Sequence, residues 1–540
     1  MKRVEFERVT PESVGISSED VLQLLDEIEA EENCEPHGLM IMRHGKVCVE
    51  GWWSPYAKNI PHEMFSMSKA YTAAGVGIAY TQRLLDINEP VISYFPEYEN
   101  LCSDERTGKI LVKHLLTMSS GKALKRTDAA DWIPAFFSRK MEREPGSRFE
   151  YSSEDTHMCV ALVERVTGRR FEDFLGEELF DKIGIDKSNL HWGHLLNGSV
   201  IGCGGLSATL EDNIRLLKLY LDDGVWEGER LLAHEYVRLA TSSQIIPVRT
   251  TAMNSIRTPD PMVSEVRTIE DVESRRKLAP WWENGVEEGY GYQIWINNEG
   301  IGGSFEANGG LGQIAIAIPA KDLIISFFQA SERNGIDEGK VKNIVSSRVK
   351  AMAKDTLLPE NPLAYRKLKR RLRCLSLEKP VSVPYSPVME NFSGKRYVVQ
   401  GKSSLTFRKP MWIHMVLCEP IVYMDGIKWF SFDFTGTGSC RMTFFEMDMV
   451  REIEIGTDGM SRMNIYGNDR LPGINRALFD GYWVDTKTFR VNARWIQTCY
   501  SIGLDFCFFE NHVHIQLASI HGDLTEHPMR VTSYDAVYGD

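Results

Sequence analysis

The chain has 540 residues, 43% of them hydrophobic and 25% charged, with a formal net charge of −13. That is an ordinary globular composition, long enough for roughly two to four domains. The negative balance speaks against nonspecific binding to nucleic acid or anionic membrane.

The N-terminal MKRVEFERVTPESVGISSED carries no apolar core of a secretory signal, and no apolar run reaches the length of a membrane span. A cytoplasmic protein is therefore expected. The ten cysteines include no C-x-x-C pair, and the 13 histidines show no H-E-x-x-H spacing. Free thiols are expected, with no metal and no cofactor.

In chain order, residues 18–31 read as an amphipathic helix with Ser18 as its N-cap. Residues 37–53 read as two strands joined at His44-Gly45, and a helix opens at FSMSK (65–69). VKHLLTMSSG (112–121) is a short helix ended by Gly121, with His114 a structural residue. A Pro145-Gly146 turn leads through Tyr151 into a helix from about Asp155 to Gly168. GCGGLS (202–207) is a glycine turn before a helix capped by Ser207 or Thr209. Residues 241–288 are polar and irregular, which suits a lid with Trp281 and Trp282 at its end. GYGYQIWIN (289–297) and QIAIAIPAKDLIISFFQ (313–329) read as three antiparallel strands around a glycine-rich connection, followed by a helix from about Glu338 to Ala353.

Pro359 to Pro362 marks a linker. Its basic cluster, Arg366, Lys367, Lys369, Arg370, Arg371 and Arg373, reads as a solvated face. Beyond about residue 380 short alternating segments such as KWFSFDF, REIEIG and TFRVNARWI recur between turn residues. That is an antiparallel all-β domain, either barrel or sandwich.

Ser66-Met67-Ser68-Lys69 carries the chemistry. A serine hydroxyl is a poor nucleophile until a base takes its proton. Residues three apart share a helix face, which sets the Lys69 amine beside the Ser66 hydroxyl. The helix N-terminus adds free N–H groups suited to an oxyanion. Tyr151 can relay a proton beside a lysine, and Gly309-Gly310 lets a strand backbone come close to a substrate.

FSMSK (65–69), VKHLLTMSSG (112–121), PGSRFEYSS (145–153), GGLSATLEDNIRLLKLYLDDG (204–224) and GYGYQIW (289–295) occur in one order. With them the chain resembles the serine β-lactamase and penicillin-binding superfamily, in its class C β-lactamase-like branch of serine hydrolases and esterases. The resemblance covers about residues 8–355. It implies an α+β fold: a β-lactamase/transpeptidase-like domain, with an antiparallel sheet flanked by helices and an all-helical subdomain, then a small antiparallel β-barrel. The boundaries expected are 1–355, a linker at 356–380, and 381–540. The barrel can bind a ligand, cap the site or mediate a homodimer.

By the same resemblance Ser66 is the acylated nucleophile, Lys69 its partner base and Tyr151 the general base or acid. The N–H groups of Ser66 and Gly310 form the oxyanion hole. Ser153 stands where many members carry asparagine, and can bond Lys69 or a substrate amide. The third motif is Ala307-Asn308-Gly309 or Asn308-Gly309-Gly310, where K-T-G or H-x-G is usual. With no cation to hold a carboxylate, a small ester or amide is the expected substrate, and Asn308 and Gln313 can offer it amide hydrogen bonds. The rivals are a D-amino-acid peptidase or β-lactamase-type amide hydrolase, and a non-catalytic ligand-sensing module.

Overall fold

The computed structural model describes residues 5–32, 34–122, 131–195, 197–245, 288–297, 303–331, 336–377, 381–408, 426–434, 436–466, 473–521 and 533–539. Most of the expected lid, Trp281 and Trp282 included, lies outside the described residues. The chain divides into two compact units. One holds Met1–Trp53, Ala57–Gln329 and Arg333–Leu375; the other holds Ser54–Tyr56, Ala330–Glu332 and Ser376–Asp540.

In the first unit, helix α1 (Ser18–Glu29) is capped by Ser17, whose side chain accepts from the Glu19 N–H. The expected cap, Ser18, is buried one residue further on and donates to Glu12 at 3.0 Å. Strands β1 (Cys34–Arg43) and β2 (Lys46–Trp52) turn at His44-Gly45, and the short β3 (His62–Glu63) leads to helix α2 (Ser68–Thr81). Helices α3 (Val112–Leu116) and α4 (Ser153–Thr167), strand β4 (Ser207–Ala208) and helix α5 (Leu210–Leu221) follow. Helix α3 stops five residues before Gly121, and Thr209 caps α5 in a capping box with Asp212.

Five strands then complete the sheet: β5 (Glu288–Tyr290), β6 (Trp295–Asn297), β7 (Ser304–Gly309), β8 (Gln313–Ile318) and β9 (Leu323–Ser331). The sheet order is β2-β1-β9-β8-β7-β6-β5, and β3 pairs β4 separately. The sequence patterning suggests three strands here. The glycine-rich connection itself forms β7, and Gln293, at φ 59°, breaks GYGYQIWIN into β5 and β6. Helices α1 and α6 (Ile336–Met352) pack on β1, and α5 packs on β1 and β8.

Helix α7 (Pro362–Arg373) occupies the stretch expected as linker. Asn361 caps it, and Ala364 and Leu368 are buried on the side that packs on α1 and β2. Five of the basic cluster, Arg366, Lys367, Lys369, Arg370 and Arg373, are exposed, whereas the half-buried Arg371 turns to α1 and pairs with Asp26 and Glu29.

Helix α2 is the centre of the unit. Every residue from Ser68 to Ala79 is buried, as expected of a helix apolar nearly all round. A Cβ on Gly75 would lie 2.8 Å from Phe171, and one on Gly77 would lie 2.5 Å from Tyr236, so glycine is what allows both neighbours to close on it.

The second unit is a β-barrel. Its strands run in the spatial order Met449–Gly456, Ser439–Glu446, Trp429–Asp433, Arg396–Val399, Ser533–Tyr538, His512–His521, Ser501–Phe508, Thr488–Trp495 and Arg476–Trp483. A parallel bridge between Gly456 and Asp480 closes these nine, and Arg462–Ile465 adds a tenth strand on Arg476–Trp483. Strict alternation sends Phe430, Phe432, Phe489, Phe506 and Phe508 inward, so aromatic side chains fill the interior. Glu446 is fully buried among them and accepts from Thr406 and from Tyr466 at 2.7 Å, with Arg408 at 3.3 Å.

Glu446→Ala removes the buried carboxylate that Thr406, Tyr466 and Arg408 share. A loss of about 3–5 kcal/mol is expected, read from amide hydrogen exchange of the barrel strands. Arg441→Ala, in the exposed pair with Glu452, is expected to change it by less than about 1 kcal/mol.

Candidate active site

Ser66 lies in a single 3-10 turn, Phe65–Met67, immediately before α2. Phe65 has φ 50°, a left-handed conformation costing about 1–3 kcal/mol for a residue with a side chain. Its surroundings hold it there. The Met64 N–H donates to the Leu206 carbonyl at 2.9 Å. The Ser68 hydroxyl donates to the Phe65 carbonyl at 2.6 Å and accepts from the Leu206 N–H at 3.2 Å.

One turn on, Lys69 is only 2% exposed. Its Nζ lies 3.1 Å from Ser66 Oγ and donates to the Cys203 carbonyl at 2.6 Å. It also lies over the Tyr151 ring, 4.7 Å from the centroid. The GCGG turn sets this geometry. Gly202 has φ 76°, and a Cβ there would meet Val160 at 2.4 Å. Its carbonyl accepts from Thr72 on α2 at 2.9 Å, so Cys203 is carried to the lysine.

Tyr151 belongs to an aromatic wall with Phe149, Tyr290 and Trp295; its ring stacks on Trp295 at 6.1 Å and 16°. The next residue, Ser152, caps α4 by accepting from the Asp155 N–H at 3.1 Å. The Asp155 carboxylate accepts from the Ser152 hydroxyl at 3.1 Å and from the Ser120 hydroxyl at 2.8 Å. Burial pushes the Asp155 carboxyl up to about 7, against the pull of those donors. Ser153 hydrogen-bonds the buried Cys203 side chain, whose thiol burial pushes upward. Both serines thus bind supports of the site.

The third segment meets the first through backbone. A Cβ on Gly309 would lie 2.1 Å from the Met64 carbonyl, whereas one on Gly310 would meet nothing closer than Phe65 at 3.9 Å. Asn308 sits half-buried on β7, its side-chain oxygen without a hydrogen-bond partner among the described residues. Gln313 does not face a substrate as expected. It is fully buried, donates to the Leu311 and Gln329 carbonyls and accepts from the Gln329 N–H. Glu306, also on β7, pairs with Lys342 of α6 at 2.6 Å. His114 is half-buried beneath the Gly146 turn and accepts from the Leu111 N–H, with burial holding its ring down to about 4.

Three supporting residues escape a reading by motif. Asp155 ties the Tyr151 segment to Ser120, and its only signal is the Ser152-x-x-Asp155 capping spacing. Cys203 acts through its carbonyl, which no side-chain pattern reveals. Gln293 pins the β5–β6 turn: its amide donates to the Leu115 carbonyl at 2.8 Å, and its oxygen accepts from Thr156 at 2.8 Å. Among the described residues no group of three or more His, Cys, Asp or Glu is placed to hold a metal, and no helix is long and apolar enough to cross a membrane.

Residues 23–344 match the family described as Beta-lactamase, which is more than half of the chain. The chain belongs to the Beta-lactamase family. A 6-aminohexanoate-dimer hydrolase of Paenarthrobacter ureafaciens is 25% identical over 226 residues, 38% of this chain and 57% of the relative. The match therefore spans a little over half of that relative's length. Among solved structures, the octameric penicillin-binding protein homologue from Pyrococcus abyssi is 15% identical, with TM-score 0.45 over 93% of this chain and 99% of that one. A simvastatin synthase variant from Aspergillus terreus is 17% identical, with TM-score 0.45 over 62% and 98%.

Two expectations follow from the site's packing. Gly309→Ala drives a methyl into the Met64 carbonyl and is expected to lower the melting temperature by several degrees, while Gly310→Ala leaves it within about a degree. Asp155 holds its proton in the folded state up to about pH 7, against an ordinary aspartate value of 3.8 in the unfolded chain. Its stabilising contribution is therefore full below about pH 4 and is lost as pH rises to about 7. Asp155→Asn is expected to flatten that part of the stability–pH curve, followed by urea unfolding at fixed pH steps.

Proposed function

We propose that this protein is a serine hydrolase that cleaves an ester or amide of a small molecule through an acyl-enzyme on Ser66. The observation that carries the reading is the 3.1 Å approach of the Lys69 amine to the Ser66 hydroxyl, with the amine also held by the Cys203 carbonyl. Ser66 Oγ attacks the carbonyl carbon, and Lys69 takes the hydroxyl proton. The backbone N–H groups of Ser66 and Gly310 receive the oxyanion. Collapse of the tetrahedral adduct releases the alcohol or amine, with Tyr151 passing it a proton. Water then attacks the acyl group, and Ser66 regains its proton.

The neutral Asn308-Gly309-Gly310 segment favours substrates with no free carboxylate at that point. The aromatic wall of Phe149, Tyr151 and Trp295 suits an apolar acyl or leaving group. An ester is our first choice. The amide reading has one specific support, the relative named for a 6-aminohexanoate dimer, whose two units an amide would join. Action on a small molecule in the cytoplasm completes the proposal.

A fluorophosphonate probe is expected to add once to the wild-type chain by intact mass, and not to Ser66→Ala. An undiminished adduct in that variant would falsify the assignment. Lys69→Ala and Tyr151→Phe are each expected to lower kcat/KM for p-nitrophenyl acyl esters about 10²–10⁴-fold.

A further inference from the structure

Two buried histidines stand just upstream of Ser66. His37 on β1 is 1% exposed and His62 on β3 is 2% exposed. His37 Nδ1 faces His62 Nε2 at 2.9 Å. The outer nitrogens are also engaged: His37 Nε2 with the Glu35 carboxylate at 3.1 Å, and His62 Nδ1 with the Glu63 carbonyl at 2.8 Å. The His62 ring stacks on Phe328 of β9 at 4.7 Å and 17°, which fixes its plane.

The protons can be counted. The contacts at the two ends are to oxygens that accept, so each outer ring nitrogen must donate. The central contact needs one proton more, on either His37 Nδ1 or His62 Nε2. Three hydrogen bonds thus require three protons on four ring nitrogens. Two neutral imidazoles carry only two. A carboxylic acid is more acidic than an imidazolium, so the extra proton rests on the rings and Glu35 carries the opposing charge.

We propose that Glu35, His37 and His62 form a buried positioning unit for Ser66, in which the two rings share one extra proton as a single cation opposed by Glu35. His62 grips the carbonyl of Glu63. From there the chain runs through Met64, tied to Leu206, to Phe65 in its strained conformation and then to Ser66. Loss of the shared proton leaves two lone pairs facing each other at 2.9 Å, and one bond of the chain must open. The corner that presents Ser66 then loses an anchor.

Among the described residues, the titratable groups recorded beside the unit are Cys34 on β1, Glu63 on β3 and Glu31, whose charge acts on Cys34. Burial, then the charges of Glu35 and Glu31, push the Cys34 thiol up, so it stays neutral. From β4 the paired residues are Ser207 and Ala208, and from β9 they are Phe328 and Gln329, none of which titrates. A cation between the two inner nitrogens is the alternative to a proton, but the described residues bring no third ligand.

The proposal rests on Ser66 as nucleophile for its positioning part, while the proton count stands independently of turnover. The test is ring-nitrogen NMR on the full chain labelled with ¹⁵N-histidine, assigned with His37→Gln and His62→Gln. At neutral pH three protonated nitrogens are expected from this pair, unchanged by EDTA. Two protonated nitrogens would overturn the shared proton, as would signals that move when a chelator is added. In Glu35→Gln the third proton is expected to leave at lower pH.

The positioning part is read from fluorophosphonate labelling rates across pH. In wild type the rate is expected to fall of order tenfold, relative to His37→Gln, as the third proton leaves. His37→Gln supplies a neutral amide donor to His62 and is expected to label within about threefold of wild type at neutral pH. A labelling rate in wild type that ignores loss of the third proton would overturn the positioning role and leave Ser66 as nucleophile intact.

Discussion

The catalytic unit depends on the burial of helix α2 from Ser68 to Ala79. A helix enclosed on every side cannot rotate or slide without opening cavities against Phe171, Tyr236 and the sheet. The chain entering it must therefore fit the space that its neighbours leave. Strand β7 comes up against the Met64 carbonyl, and the 202–206 turn comes up against Met64, Ser68 and Lys69. The left-handed Phe65 is the consequence, a local cost met by the packing around it.

The same enclosure governs the electrostatics. Lys69 is held by a hydroxyl, a carbonyl and an aromatic ring, with no carboxylate recorded against it among the described residues. An amine with neutral partners can exchange a proton with a serine without breaking an ion pair. Asp155, equally buried, is satisfied by two hydroxyls. Elsewhere in the unit, charge is balanced by direct pairing, as in Arg215 with Glu211 and Lys342 with Glu306. Neutral support around the amine and ionic support at a distance are different tasks, and different residues carry them.

The two units solve burial differently. The first covers its sheet with helices and spends its tightest packing on α2. The second closes a sheet on itself, so that hydrogen bonding has few free edges, and fills the interior with phenylalanines. Glu446 shows the cost of that closed interior, because a charge inside it must find all its partners there.

Local chemistry was legible in the sequence. The S-x-x-K spacing placed Ser66 beside Lys69, alternation announced an antiparallel all-β domain, barrel or sandwich, and glycine with proline marked the turns. These are properties of neighbouring residues, and helix and strand periodicity carries them. The linker reading failed at Pro362–Arg373 because the basic residues hid a narrow apolar stripe that only α1 and β2 make useful. Strand β7 stayed hidden because its glycines look like a turn until Met64 and β8 lie against them. Gln313 looked like a substrate ligand until the sheet buried it. By itself, the sequence determined which groups could do chemistry and in what order they occur. Only the tertiary structure decided that Cys203 offers its carbonyl to Lys69, that Asp155 joins two loops, and that His37 meets His62. Those contacts join residues 134, 35 and 25 positions apart, and long-range packing alone brings such distant groups within hydrogen-bond reach.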